Sequence, residues 1–134
     1  MIRLITGKKG SGKTKIIIDR INTAVKNTNG CLVCIEKGET LRRSISYKVR
    51  WCDTEQFAID TFDAFYGFVA GMLAGNYDIK EIYVDGILKI AGADFEDFLD
   101  LFSKFAFLSH FSTQFSLTCF QNLHFQGIFQ PVFP

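Results

Sequence analysis

The stretch that decides the fold reads Gly7-Lys8-Lys9-Gly10-Ser11-Gly12-Lys13-Thr14. It fits the pattern G-x-x-x-x-G-K-[ST], whose glycines let backbone N–H groups turn toward bound phosphates. Apolar residues 2–6 before it predict a short strand, and apolar spacing after it predicts a helix over 13–27. The stretch thus joins a strand to a helix N-terminus, which attracts anions. We expect all eight residues to bind the phosphates of a nucleoside triphosphate.

Two side chains of this loop have specific expected roles. Lys13 would reach the β- and γ-phosphates as a catalytic cation, and the Thr14 hydroxyl would bind Mg²⁺. A second metal ligand is expected at the end of a hydrophobic strand, where Ile82-Tyr83-Val84 is followed by Asp85. The alternative for Asp85-Gly86 is a simple tight turn. We favour the metal role, which makes ATP with Mg²⁺ the expected ligand.

Strand and helix patterns alternate along the rest of the chain. Further strands are predicted over residues 31–35, 49–52 (near a sheet edge), 81–85 and 115–119. Further helices are predicted after Asp60 or Thr61, ending at Gly75-Asn76, and after Asp94. This alternation predicts an α/β protein with a mostly parallel sheet and helices on both faces. We expect one three-layer domain over residues 1–134 with a P-loop NTPase fold.

The chain resembles P-loop NTPases of the RecA-like group. More closely, it resembles a family of small bacterial ATP-binding proteins often labelled twitching-motility (PilT-type) ATPases. The resemblance covers residues 1 to about 120 and rests on ITGKKGSGKTK (5–15), GMLAGNYDIKEI (71–82) and IYVDG (82–86). It implies ATP binding and an ATPase fold. We take nucleotide binding from it, not a role in motility.

The general base of an ATPase is less clearly marked. Many ATPases of this class have a glutamate directly after the strand-end aspartate, and this chain has Gly86 there. Catalytic subunits of rotary ATP synthases, which the chain also resembles, carry their base in a Gly-Glu-Arg turn after the second strand. Gly38-Glu39-Thr40 occupies a similar place, so Glu39 is one candidate. Glu36, at the end of the second predicted strand, is the other, and solvated loop acids are the alternative for both.

Other polar residues are weaker candidates. Thr118 or Gln121 could contact the γ-phosphate or orient water. Arg42 and Arg43 could neutralise charge in the transition state, although surface solvation is the simpler interpretation.

Composition limits the possible functions. The formal net charge is +1 and no basic run exceeds two residues, which argues against a strong electrostatic attraction to nucleic acid or anionic lipid as partners. Cys31 and Cys34 have metal-site spacing, but in a strand they would point to opposite faces as buried thiols. No zinc partner motif follows. With no secretion signal or membrane span in the sequence, a cytoplasmic location is expected.

The sequence bears on three other nucleotide-dependent functions. A GTPase would need an Asn-Lys-x-Asp motif, which is absent. A small-molecule kinase usually has an arginine-bearing lid, whereas all five arginines here precede residue 51. A nucleotide-sensing or regulatory module that does not hydrolyse ATP is the main alternative to a weak ATPase.

Two features suggest contacts beyond the site. Residues 121–134 end an uncharged stretch that contains eight Phe after Lys104, and they form a tail that we expect to favour a homo-oligomer. Gly67, Gly71 and Gly75 recur every four residues. This spacing predicts a helix side that packs closely on the sheet, with a subunit contact as the alternative.

Overall fold

The computed structural model describes residues 2–8, 10–92, 95–108 and 113–120. Strands and helices alternate as the sequence predicts. A short 3₁₀ helix (Thr54–Phe57) follows the third strand. In chain order the other elements are β1 (Ile2–Gly7), α1 (Lys13–Asn27), β2 (Cys31–Glu36), β3 (Arg50–Asp53), α2 (Phe62–Gly75), β4 (Ile79–Asp85), α3 (Ile87–Ala91), α4 (Phe95–Leu108) and β5 (Gln114–Phe120).

The described strands form one sheet in the order β1-β5-β4-β2-β3, and every pairing in it is parallel. Parallel neighbours need crossover connections, and the helices supply most of them. All five carboxyl ends therefore meet at one edge of the sheet. The phosphate-loop stretch after β1 and the acidic end of β4 share that edge, with the end of β5 between them.

Helices cover both faces of the sheet. Strand side chains alternate, so Val33 and Ile35 pack in a cluster with α2, α3 and α4. Leu32 and Cys34 pack in a second cluster with Ile17 and Ile21 of α1. The strands are apolar on both sides for this reason. The prediction of an α/β protein with a parallel sheet and helices on both faces is confirmed.

Most element boundaries match the prediction closely. Helix α1 covers the predicted residues, and α2 begins after Thr61, whose side chain accepts a hydrogen bond from the Ala64 N–H at 3.1 Å. Strand β3 is an outermost strand of the sheet, paired on one side only, as expected. Cys31 and Cys34 belong to clusters on opposite faces, which confirms their predicted divergence.

Two features differ from the prediction. Helix α3 was not predicted, because its five residues directly follow the β4 turn. The predicted packing of the glycine side of α2 on the sheet is wrong. Beyond the helix's own nearby backbone, no described atom lies within 4 Å of a Cβ built on Gly67, Gly71 or Gly75. That side of α2 faces away from the sheet, because Phe65, Val69 and Leu73 occupy the buried side.

Four predictions fall on residues outside the described part of the chain: phosphate binding by Lys9, the helix cap Asp94, the role of Gln121 and the tail 121–134. Within the described part, no helix is both long enough and apolar enough to span a membrane.

Candidate phosphate and metal site

The loop between β1 and α1 turns sharply. Gly10 and Gly12 have φ angles of +81° and +89°, in the left-handed region that favours glycine. The Ser11 N–H donates to the Lys8 carbonyl at 3.1 Å, which closes the turn. A Cβ on Gly7 would collide with the Ser11 side chain. Lys9 is not among the described residues.

Helix α1 begins directly after this loop. Gly12 is its N-terminal cap residue, and no side chain caps the first turn. Backbone N–H groups at such a helix start suit an anion, because four of them lack partners within the helix. Gly10, Ser11 and Gly12 are exposed, so a ligand can reach the loop.

The Lys13 side chain folds back over the loop. Its Nζ donates to the carbonyls of Gly7 and Lys8, both at 2.8 Å. The ammonium charge is therefore held at the loop rather than extended into solvent. A cation held at this loop would offset the negative charge of a phosphate bound there.

Thr14 and Asp85 are 71 positions apart in sequence and meet at the carboxyl edge of the sheet. The Thr14 hydroxyl lies 3.4 Å from Asp85 Oδ2, at the outer limit of a hydrogen bond. Thr14 is in the first turn of α1 and Asp85 is the last residue of β4. The sequence assigned both residues to one metal, and the structure brings them together.

A second hydroxyl holds the other side of the Asp85 carboxylate. Thr118 Oγ1 lies 2.5 Å from Asp85 Oδ1 and accepts a hydrogen bond from the Gly86 N–H at 2.7 Å. Thr118 belongs to β5 and is buried. From the sequence alone, Thr118 is expected only as a contact of the γ-phosphate or of a water molecule. Its contact with Asp85 depends on strand order, which the sequence did not give.

Glu36 stands next to Asp85 across the β2–β4 pairing, where the two residues are register partners. Its carboxylate is buried, with 2% of the residue exposed. Oε2 accepts hydrogen bonds from the Leu41 N–H and from Trp51 Nε1, both at 2.8 Å. Burial raises the pKa of Glu36, the two N–H donors lower it, and the nearby charge of Asp85 raises it further.

Glu39 lies in a different environment. Its side chain is exposed and pairs with Arg42 at 3.4 Å, while the Arg42 guanidinium also sits over the Trp51 ring. Arg43 is exposed as well. No described contact joins these three residues to Lys13, Thr14 or Asp85.

The loop after β2 is anchored by a residue that the sequence analysis missed. Asp53 Oδ1 accepts hydrogen bonds from the Gly38 N–H at 2.8 Å and the Glu55 N–H at 3.0 Å. Asp53 is the register partner of Glu36 on β3. An aspartate just before a helical turn is a familiar capping signal, which could have found it.

The side-chain oxygen atoms of this site suit a magnesium ion whose other ligands are phosphate and water. They are too few for a metal bound by protein atoms alone. Among the described residues, no group of three or more His, Cys, Asp or Glu side chains could hold a metal. Magnesium in nucleotide sites usually takes one or two protein oxygens, with phosphate and water completing the shell. The hydroxyl of Thr14 and the carboxylate of Asp85 match that requirement.

A cavity of about 700 Å³ opens beside the loop, bounded by α1 and by strands β1, β4 and β5. Its charged lining combines three basic and two acidic side chains: Arg3, Lys15, Arg20, Asp19 and Glu81. Ser11 and Gly12 of the loop also line the cavity. Because the mixed charges of the remaining lining give little preference for an anion, the phosphates are assigned to the loop itself.

Comparison with models of protein families gives no match, and a search of curated proteins gives none. The functional argument therefore rests on the residues of the site.

Proposed function

We propose that this chain is a P-loop NTPase domain that binds ATP with Mg²⁺ and hydrolyses it slowly. The observation that carries the proposal is the approach of Thr14 to Asp85 at 3.4 Å beside the glycine loop. A chance loop match would not require a carboxylate from a strand 71 positions away to meet the loop's own hydroxyl. The parallel α/β sheet is compatible with the RecA-like resemblance.

Each residue then has a chemical role. Backbone N–H groups of residues 7–14 bind the phosphates, and Lys13 offsets their negative charge. Thr14 and Asp85 would hold magnesium, which supplies further charge neutralisation at the β- and γ-phosphates. Because Asp85 is the last residue of the largely buried strand β4, its position would be set before ligand binds, which would reduce the cost of assembling the site.

Hydrolysis also requires a group that accepts a proton from water. The water oxygen attacks the γ-phosphorus, the proton passes to a carboxylate, and the bond to the bridging oxygen breaks to release ADP. Glu36 suits this role better than Glu39, because it is the register partner of Asp85 and its pKa is raised. Glu39 is exposed and paired with Arg42.

One observation favours the second candidate, a nucleotide-sensing module. The Glu36 carboxylate already accepts hydrogen bonds from Leu41 and Trp51, which hold it in place and reduce its basicity. Gly86 occupies the position directly after Asp85. Both features favour slow turnover, and a complete absence of turnover with tight ATP binding would make the chain a sensor.

Isothermal titration calorimetry with ATP, ADP and GTP, each with and without Mg²⁺, tests the binding proposal. We expect Mg²⁺-dependent binding of ATP that is tighter than that of GTP. No binding of any of the three would refute the proposal. A phosphate-release assay on the same sample then distinguishes an ATPase from a sensor.

A further inference from the structure

The Thr118 hydroxyl contacts both the Asp85 carboxylate and the Gly86 backbone. The hydroxyl oxygen accepts from the Gly86 N–H at 2.7 Å and lies 2.5 Å from Asp85 Oδ1. A carboxylate oxygen accepts hydrogen bonds and does not donate them when ionised. The Thr118 proton is therefore directed at Asp85 Oδ1. This bond is charge-assisted and partly buried, because Thr118 is 1% exposed whereas Asp85 is partly exposed.

This bond makes the two oxygens of Asp85 unequal. Oδ1 is engaged by β5, while Oδ2 faces the Thr14 hydroxyl on α1. We propose that Thr118 is a positioning residue of the metal site, which fixes the Asp85 carboxylate so that Oδ2 is presented to Mg²⁺. The proposal rests on the proposed function and deepens it.

The same hydroxyl also fixes the backbone beyond Asp85. Gly86 has a φ of +71° and is the N-terminal cap residue of α3, and its N–H donates to Thr118 on β5. Thr118 thus joins the side chain of Asp85 and the backbone of the next residue to one neighbouring strand. Removing a residue that hydrogen-bonds to a metal ligand typically lowers metal affinity by about 10- to 100-fold.

Thr118→Val tests the proposal, because valine keeps the shape and removes the hydroxyl. The control is Thr113→Val. Thr113 is also buried and precedes β5 at its opposite end, where its hydroxyl donates to the Ile79 carbonyl at 3.0 Å. Both variants lose one buried hydroxyl and leave a backbone group without that partner. Thr118→Ser restores the hydroxyl, and Thr118→Ala serves as a second variant if valine prevents folding.

The measurement is the affinity for ATP and for ADP by calorimetry, with Mg²⁺ and with EDTA, alongside the melting temperature of each variant. In Thr118→Val we expect the gain in affinity from Mg²⁺ to fall by about tenfold or more for both nucleotides. Affinity in EDTA should stay within about twofold, since the loop is untouched. Thr118→Ser should recover most of the gain, and Thr113→Val should retain it at a similarly lowered melting temperature.

Three results would overturn the proposal. An unchanged gain from Mg²⁺ in Thr118→Val would show that Asp85 does not depend on Thr118. A loss confined to ATP would assign Thr118 to the γ-phosphate instead. Equal losses with Mg²⁺ and with EDTA would show a purely structural role. If the wild-type chain bound neither nucleotide, the proposed function would fail first, which a wild-type titration alone would reveal.

Discussion

Asp85 and Glu36 are neighbours on adjacent strands, yet their surroundings differ. They are register partners at the carboxyl ends of β4 and β2. Asp85 is partly exposed and is approached by two hydroxyls, one from α1 and one from β5. Glu36 is buried and accepts hydrogen bonds from N–H donors on the β2–β3 side.

The difference shows how strand order gives similar side chains different environments, which suit them to different proposed roles. Asp85 lies toward β5 and the glycine loop, so it can share a cation with Thr14 and phosphate. Glu36 lies one strand further away, where Trp51 and the Leu41 backbone hold it. A partly exposed carboxylate among hydroxyls suits a hard cation, whereas a buried one with a raised pKa suits proton transfer.

The largest expected effect separates Glu36 from Glu39. If the wild type hydrolyses ATP, Glu36→Gln should lower turnover by about 10²-fold while ATP affinity is retained, because the amide cannot accept the proton. Glu39→Gln is the matched control and should keep most of the activity, since its side chain is exposed. Phosphate release under saturating ATP measures both. Full activity in Glu36→Gln would show that the base lies elsewhere.

The next effect concerns Asp85. Asp85→Asn removes the negative charge but keeps the shape, so the gain in ATP affinity from Mg²⁺ should fall by about tenfold, or about 1.4 kcal/mol. Calorimetry with and without Mg²⁺ measures it. Asp78→Asn, an exposed change before the other end of β4, is the control. A mutant with the full magnesium dependence of the wild type would remove Asp85 from the site.

A smaller effect concerns the donor that holds Glu36. Trp51→Phe removes the Nε1–H bond to Oε2, and we expect the free energy of unfolding to fall by about 1 kcal/mol. Urea denaturation measures this change. Tyr77→Phe is the control, because Tyr77 is 90% exposed. A stability loss no greater than that of the control would show that the Trp51 bond contributes nothing net.

The weakest effect is on pH dependence, because the N–H donors partly offset the cost of burying Glu36. Its pKa in the folded chain is raised above the ordinary 4.5. Its stabilising contribution is therefore complete below about pH 4.5 and is lost as pH rises through the raised pKa. We expect Glu36→Gln to remove this part of the decline in unfolding free energy, and Glu39→Gln to leave it. Parallel pH profiles for the wild type and Glu36→Gln would contradict the assignment.

Much of the sheet and of the loop could be predicted from the sequence. Thr14 and Asp85 could be paired in advance, because a phosphate loop of this pattern requires a second metal ligand at the carboxyl end of a hydrophobic strand. The first and last residues of helix α1 could be predicted, because apolar residues at helical spacing directly follow the glycine loop. These features depend on local pattern and on one general rule of topology.

Other features required knowledge of which strands are neighbours. A threonine at a strand end carries no signal of its own, and Thr118 acquires meaning only because β5 lies beside β4. Trp51 reaches Glu36 only because β3 pairs with β2. The prediction that the glycine side of α2 packs on the sheet is wrong for a related reason. Spacing places residues on one side of a helix but does not say which side meets the sheet.

The central claim is that the glycine loop binds the phosphates of ATP, and Lys13 tests it most directly. Lys13→Ala removes the ammonium held at the loop and should weaken Mg²⁺–ATP binding by at least about tenfold, or about 1.4 kcal/mol, by calorimetry. Lys26→Ala, which removes an exposed lysine from the last turn of the same helix, should bind as the wild type does. Equal ATP affinity in Lys13→Ala and the wild type would contradict the assignment of the loop.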